Sequence, residues 1–223
     1  MTRFRILAFF LCSLFFCVSN INATAQKLFT EGVITYKIVM DPSANQEGLV
    51  QYSGTYTITL KGNKVKKELK LENGFQTTLV INYDAKTAFS LKHIADKDVA
   101  IEMDMDKLMQ RGKKYEGLVL KPKDNATQNI ASVKAEEGTI IYNDKSSVDI
   151  FFTKDWTLAT TIFERFPNIR ELPVKFTNAN EDGLTIHFSL QSIEARPVEN
   201  ASFTIPAHAK VISYKEYEQL KGE

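Results

Sequence analysis

The chain has 223 residues, 43% of them hydrophobic and 25% charged, with a formal net charge of +1 at pH 7. That length can bury a core without covalent staples. The near-balanced charge offers no electrostatic footing for a nucleic-acid or anionic-membrane partner, so no nucleic acid is expected.

The N-terminus has the layout of a secretory signal peptide. Arg3 and Arg5 form a positive n-region, and an apolar run from Ile6 to Val18 is broken only by Cys12 and Ser13. Ala23-Thr24-Ala25 supplies a small-x-small cleavage site before Gln26. The run falls short of the ~20 residues that span a bilayer, so the mature form is expected to be exported, periplasmic and not membrane-spanning. The expected division is a signal peptide over residues 1–25 and a single β domain over 26–223. Cys12 and Cys17 both lie in the leader, which excludes disulfides, thiol catalysis and thiolate metal sites from the mature chain. A lipid anchor on Cys17 is the one reading that keeps a cysteine, and the bulky Phe16 before it fits lipoprotein processing poorly.

The first half of the mature chain alternates with period two. Ile34, Tyr36, Ile38 and Met40 share one strand face, and Tyr52, Tyr56, Ile58 and Leu60 share another, with Thr55, Thr57, Thr59 and Lys61 opposite. Gly62-Asn63 reads as a hairpin turn. Val65, Lys67, Leu69 and Leu71 continue the alternation to a second turn at Asn73-Gly74. The basic cluster Lys61, Lys64, Lys66, Lys67 and Lys70 reads as the solvated face of this strand. Thr77, Leu79, Ile81 and Tyr83 form the next strand, and Thr87, Phe89, Leu91 and His93 the one after, which together predict a meander of hairpins.

Val99 and Ile101 finish a strand. Asp104 then caps a short helix with Met105, Leu108 and Met109 on one face and Gly112 at its end. The polar stretch 121–129 reads as a loop between two halves of one sheet system. Strands are expected over 130–135, 139–142 and 148–153, and a second helix from Asp155 to about residue 166, ahead of Pro167. Two further strands, 172–177 and 185–194, flank an Asp182-Gly183 turn. Ser213-Tyr214-Lys215-Glu216 matches a capping box and opens a terminal helix. Ten or so strands against two or three short helices do not suit alternating βαβ units. The predicted fold class is mainly β, a strongly curved antiparallel sheet with the helices against one side.

No nucleophile elbow, zinc-protease signature or phosphate-binding loop occurs, so neither an enzyme nor a cofactor is indicated. His93, His187 and His208 sit in separate segments, without the convergent ligands a zinc site wants. The acidic run Glu102, Asp104 and Asp106 lacks the Gly and distal Glu of a calcium loop and reads as a wet outer face. Asn125-Ala126-Thr127 and Asn200-Ala201-Ser202 are glycosylation sequons.

Three of the mature chain's four methionines, Met103, Met105 and Met109, fall in one short segment. Methionine adapts to variable apolar shapes, so this helix is either a lid over an apolar cavity or a plug for an irregular core end. The candidate ligand-binding set is Met103, Met105, Leu108 and Met109, with Trp156, Leu158, Ile162 and Phe163 from the second expected helix.

The order of elements resembles the LolA/LppX-like half-barrels: a leader, a curved sheet, a mid-chain helix, and a helix after a strand ending in an aromatic-Thr pair. More narrowly the chain resembles an uncharacterised exported branch near the GLPGLI proteins. The residues that carry this are Glu31-Gly32-Val33-Ile34-Thr35-Tyr36, Gly62-Asn63-Lys64-Val65-Lys66 and Phe203-Thr204-Ile205-Pro206. It departs from the pattern at Ile130-Ala131-Ser132-Val133, where a Gly-Tyr pair is usual, and keeps only Leu172-Pro173 of the Gly-Leu-Pro-Gly signature. The resemblance implies a non-enzymatic carrier of a lipid or acyl ligand between sheet and helices. The alternative is an envelope structural or interaction protein with a filled core.

Overall fold

The computed structural model describes residues 26–41, 51–94, 97–179 and 184–221. The expected leader with its two cysteines, and the Asp182-Gly183 turn, lie outside them. The elements in chain order are β1 (Lys27–Phe29), β2 (Glu31–Asp41), β3 (Tyr52–Lys61), β4 (Lys64–Leu71), β5 (Gln76–Asn82), β6 (Thr87–Ile94) and β7 (Lys97–Glu102), then α1 (Met105–Lys113). There follow β8 (Val119–Ile130), β9 (Val133–Ile141), β10 (Ser147–Leu158), β11 (Glu171–Ala179), β12 (Thr185–Glu194), a 3-10 turn (Asn200–Phe203), β13 (Lys210–Ile212) and α2 (Tyr214–Lys221). Among the described residues no helix is long and apolar enough to cross a membrane.

Among the described residues all the strands join one open, curved, 13-stranded sheet. It consists of two antiparallel meanders, β2 to β7 and β8 to β12, spliced where β2 pairs with β12. Among the described residues only β1 against β10 and β13 against β7 run parallel. The Gly62-Asn63 turn closes the β3–β4 hairpin through the Lys61–Lys64 pair, with Gly62 at φ 56°. The Asn73-Gly74 turn joins β4 to β5, where the Asn73 side-chain oxygen accepts from the Phe75 amide.

Alternation decides which face is buried. Ile34, Tyr36, Ile38, Ile58, Leu60 and Val65 are fully buried on the concave face and join one core with Ile140, Ile150, Phe152, Val174 and Phe176 of the second meander. Helix α1 borders the same face, beside Leu79 and Ile81. Tyr217 of α2 packs with Val99, Ile101 and Ile212 in a smaller, separate cluster. The capping box of α2 is formed: Ser213 Oγ accepts from the Glu216 amide at 3.2 Å, and Glu216 Oε2 accepts from the Ser213 amide at 2.7 Å.

Four expectations are corrected. Residues 121–129 are not a loop but part of β8, the edge strand. Its ladder with β9 is interrupted between Pro122 and Thr127. An edge strand open to water tolerates both the polar side chains and the missing proline N–H. The strand expected over 130–135 contains a turn, with Ala131 at φ 48° and Ser132 at φ 65° joining Ile130 to Val133. Helix α1 includes Gly112 and ends at Lys113.

The largest correction concerns 155–166, which is not a helix. Strand β10 runs on through Leu158 because β1 pairs with it, Lys27 with Trp156 and Phe29 with Leu158. Residues 159–170 then follow as irregular chain that fills the trough of the sheet, burying Ile162, Phe163, Phe166 and Ile169. The helix-like spacing of apolar residues there reflects burial, while β-branched Thr157, Thr160 and Thr161 and a distant strand set the backbone.

Candidate functional site

The trough lies between the concave face, helix α1 and the 159–170 segment. Cross-strand register sets its floor: Ile58 pairs with Lys67 and Lys67 with Leu79, so the Lys67 side chain emerges among apolar neighbours rather than on the solvated face. On the opposite face of β4, Lys66 and Glu68 form a 3.0 Å ion pair with side chains only 21% and 20% exposed, so the face expected to be solvated is half-buried there.

Helix α1 starts at its N-cap, where Asp104 Oδ1 accepts from the Lys107 amide at 3.1 Å. The helix carries an apolar stripe, yet none of its residues is buried, and Met109 is 55% exposed. Beneath the stripe is a cavity of about 290 Å³ bordered by Met105, Leu108, Met109, Leu79, Ile81, Tyr83, Ile162 and Phe163. A second cavity, of about 520 Å³, is bordered by Tyr56, Arg111, Lys114, Tyr115, Arg165, Phe166, Phe176, Asn178 and Phe188. Lys67, Ile162, Phe163 and Glu164 border both. These volumes approach or fall within the ~300–1,000 Å³ of small-molecule sites.

The inner wall of the second cavity is aromatic. Phe176 and Phe188, paired across β11 and β12, stack at 4.6 Å with planes 8° apart, and Tyr36, Tyr56, Phe163 and Phe166 meet this pair edge-on. The outer part is cationic. Arg165 donates to the Ala179 carbonyl and sits 5.6 Å from the Tyr115 ring, and Lys114 lies 5.2 Å from the same ring. Burial pushes the Lys67 ammonium down to about 8, with Glu164 opposing the shift from a distance. Burial also raises the Tyr56 and Tyr83 phenols above the ordinary tyrosine range. The side-chain oxygen of Asn178 is buried without a hydrogen-bond partner among the described residues.

Of the eight residues expected from sequence, five come together around the smaller cavity: Met105, Leu108, Met109, Ile162 and Phe163. The other three do not. Met103 packs with the Val99, Ile101, Ile212 and Tyr217 cluster. Trp156 stands edge-on to Phe29 at 5.8 Å, under the Lys27 ammonium. Leu158 is buried in the main core and borders neither cavity. Lys67, Tyr56, Arg111, Arg165 and Asn178 were missed. For Lys67 the signal was present, since it occupies a period-two position between Val65 and Leu69.

Elsewhere, His93 Nδ1 and His208 Nε2 bond the two oxygens of Asp98 at 2.8 and 2.7 Å, and His187 Nε2 bonds Asp41 at 2.9 Å. These exposed clusters tie chain segments together. Among the described residues no group of three His, Cys, Asp or Glu side chains has the geometry to hold a metal ion.

Solved structures similar to this chain include MucB, at 12% identity and a TM-score of 0.44, covering 82% of this chain and 61% of the MucB chain. An uncharacterized conserved protein from Thermus thermophilus matches at 9% identity and a TM-score of 0.48, covering 90% and 99% of the two chains. A LolA superfamily protein from Nitrosomonas europaea matches at 11% identity and a TM-score of 0.39, covering 79% and 91%. No family model and no curated protein sequence matches.

Proposed function

We propose that the protein is an exported, non-enzymatic binding protein that holds an apolar, lipid-like ligand in the trough between the curved sheet, α1 and the 159–170 segment. The observation that carries this is the helix whose apolar stripe, Met105, Leu108 and Met109, is not buried but stands over a cavity of about 290 Å³. A plug for the core would bury that stripe. Acyl surface transferred from water into the trough contributes about 0.8 kcal/mol per CH₂, which supplies affinity without a polar code. A nine-residue helix has little stability of its own and can swing aside to admit a chain while the sheet stays folded.

Native mass spectrometry of the protein purified from its own envelope tests this, together with titration of a neutral fluorescent apolar probe, N-phenylnaphthylamine. The expected result is a lipid-sized adduct that the probe displaces. A bare protein that binds no apolar probe overturns the carrier reading. The interaction-protein reading would then take its place, with the long β8 edge as the surface to examine.

A further inference from the structure

We propose that the ligand is a single acyl chain ending in an anionic head, and that Lys67 is the counter-ion for that head, with Arg111 and Arg165 at the mouth and the tail under α1. This rests on the reading of the trough as a lipid-like site and names the chemical class it takes.

Three observations converge on Lys67. First, it sits where the two cavities meet, so one molecule lying along the trough passes its ammonium. Second, among the described residues no acceptor lies within hydrogen-bond distance of its nitrogen and no carboxylate within 4.0 Å; Glu164, its anionic neighbour across the trough, acts from farther away. A partly buried ammonium without a partner is costly, and folded proteins ordinarily pair such groups or replace them with apolar ones. Third, the two cavities differ in character. The one under α1 sets Met105, Leu108, Met109, Leu79 and Ile81 beside Lys67, Glu116 and Glu164, whereas the other brings Lys67, Arg111, Lys114 and Arg165 together with Glu164 as its one acid.

That polarity matches an amphiphile with its negative end toward the arginines. A free phosphate or small dicarboxylate would leave the apolar half unused, and a neutral hydrocarbon would leave Lys67 unmatched. Carboxylate and phosphate heads share this chemistry, and arginine accommodates both in two-pronged contacts.

The test measures binding of oleate, oleyl alcohol, oleoyl lysophosphatidate and inorganic phosphate to the mature chain at pH 7, for wild type, Lys67→Met and Lys67→Arg. Wild type should bind oleate or the lysophosphatidate about tenfold or more tighter than the alcohol, as a charge-assisted contact implies. Whichever acid binds tighter identifies the head group. Lys67→Met, close in length and uncharged, should lose that preference while still binding the alcohol, and Lys67→Arg should retain most of it. Inorganic phosphate should not displace oleate.

Equal binding of oleate and alcohol by wild type, or a preference that survives in Lys67→Met, overturns the counter-ion role and leaves the carrier reading intact. Displacement of oleate by inorganic phosphate overturns the amphiphile. If no chain of either kind binds, the carrier reading falls and this proposal with it.

Discussion

The Tyr36 hydroxyl donates a 2.7 Å hydrogen bond to the Pro173 carbonyl, 137 residues along the chain. Tyr36 is on β2 and Pro173 on β11, with β12 between them. In a flat sheet those two strands would stand about 9–10 Å apart, so the bond records the curl that makes the trough. Tyr36→Phe removes the donor and leaves a carbonyl without its partner. It should cost about 1–2 kcal/mol in urea unfolding. Probe affinity should change little, because Tyr36 lies beneath the aromatic wall and borders neither cavity.

The half-buried ammonium of Lys67 makes stability depend on pH in a definite direction. Its folded value of about 8 lies below the 10.5 of the unfolded chain. Between those values the unfolded state binds more protons, so stability should rise with pH from about 8 toward 10, with a slope of at most ~1.4 kcal/mol per unit. The Tyr36 and Tyr56 phenols, raised by burial, stay protonated in the fold while unfolded tyrosines ionise, so stability should fall again above about 10. Glu164, which borders the same two cavities, opposes the shift of Lys67. Urea midpoints from pH 7 to 11 should show the rising limb in wild type and not in Lys67→Met. That variant should also be at least as stable at pH 7, since it no longer buries a charge.

The methionine helix separates a lid from a core plug. Replacing Met105 and Met109 together by Asp should weaken binding of the neutral probe while leaving the thermal transition nearly unchanged, because neither residue is buried. A large drop in melting temperature would instead assign them to packing, through the cost of buried unpaired charge.

Asp104 is the N-cap of that helix. Asp104→Ala should loosen α1 by about 1 kcal/mol. Hydrogen exchange of the α1 amides should quicken and ligand exchange should speed up, while β2 to β6 keep their protection.

Asp98 joins β7 to the segment before β13 through His93 and His208, and hydrogen bonds from those two imidazoles hold its carboxyl below the usual aspartate range. A depressed acid contributes stability above its unfolded value of 3.8 and loses it as pH falls through the folded value. Asp98→Asn should therefore speed exchange at Lys210 to Ile212 at neutral pH and flatten the acid loss of protection there. Binding in the trough should be unaffected, because Asp98 borders neither cavity.

Much of the sheet was legible in the sequence because its causes are local. Alternation in Ile34, Tyr36 and Ile38 sets which face is buried, Gly62-Asn63 sets a turn, and Asp104 and Ser213 set helix starts. Each depends on residues within a few positions of one another. The methionines of α1 were likewise visible as a stripe. What tertiary structure alone decided is non-local. Residues 155–158 are strand because β1, from the far N-terminal end of the sheet domain, supplies a parallel partner. Residues 121–129 belong to a strand because they form a sheet edge, where polarity carries no penalty. Lys67 is a trough residue because α1 and the 159–170 segment cover the sheet at its position, and Arg165 and Asn178 reach the same space through the curl of β10 to β12. Burial is a property of what the rest of the chain covers. Alternation therefore assigns Lys67 a face, and only the fold covers that face to form a trough.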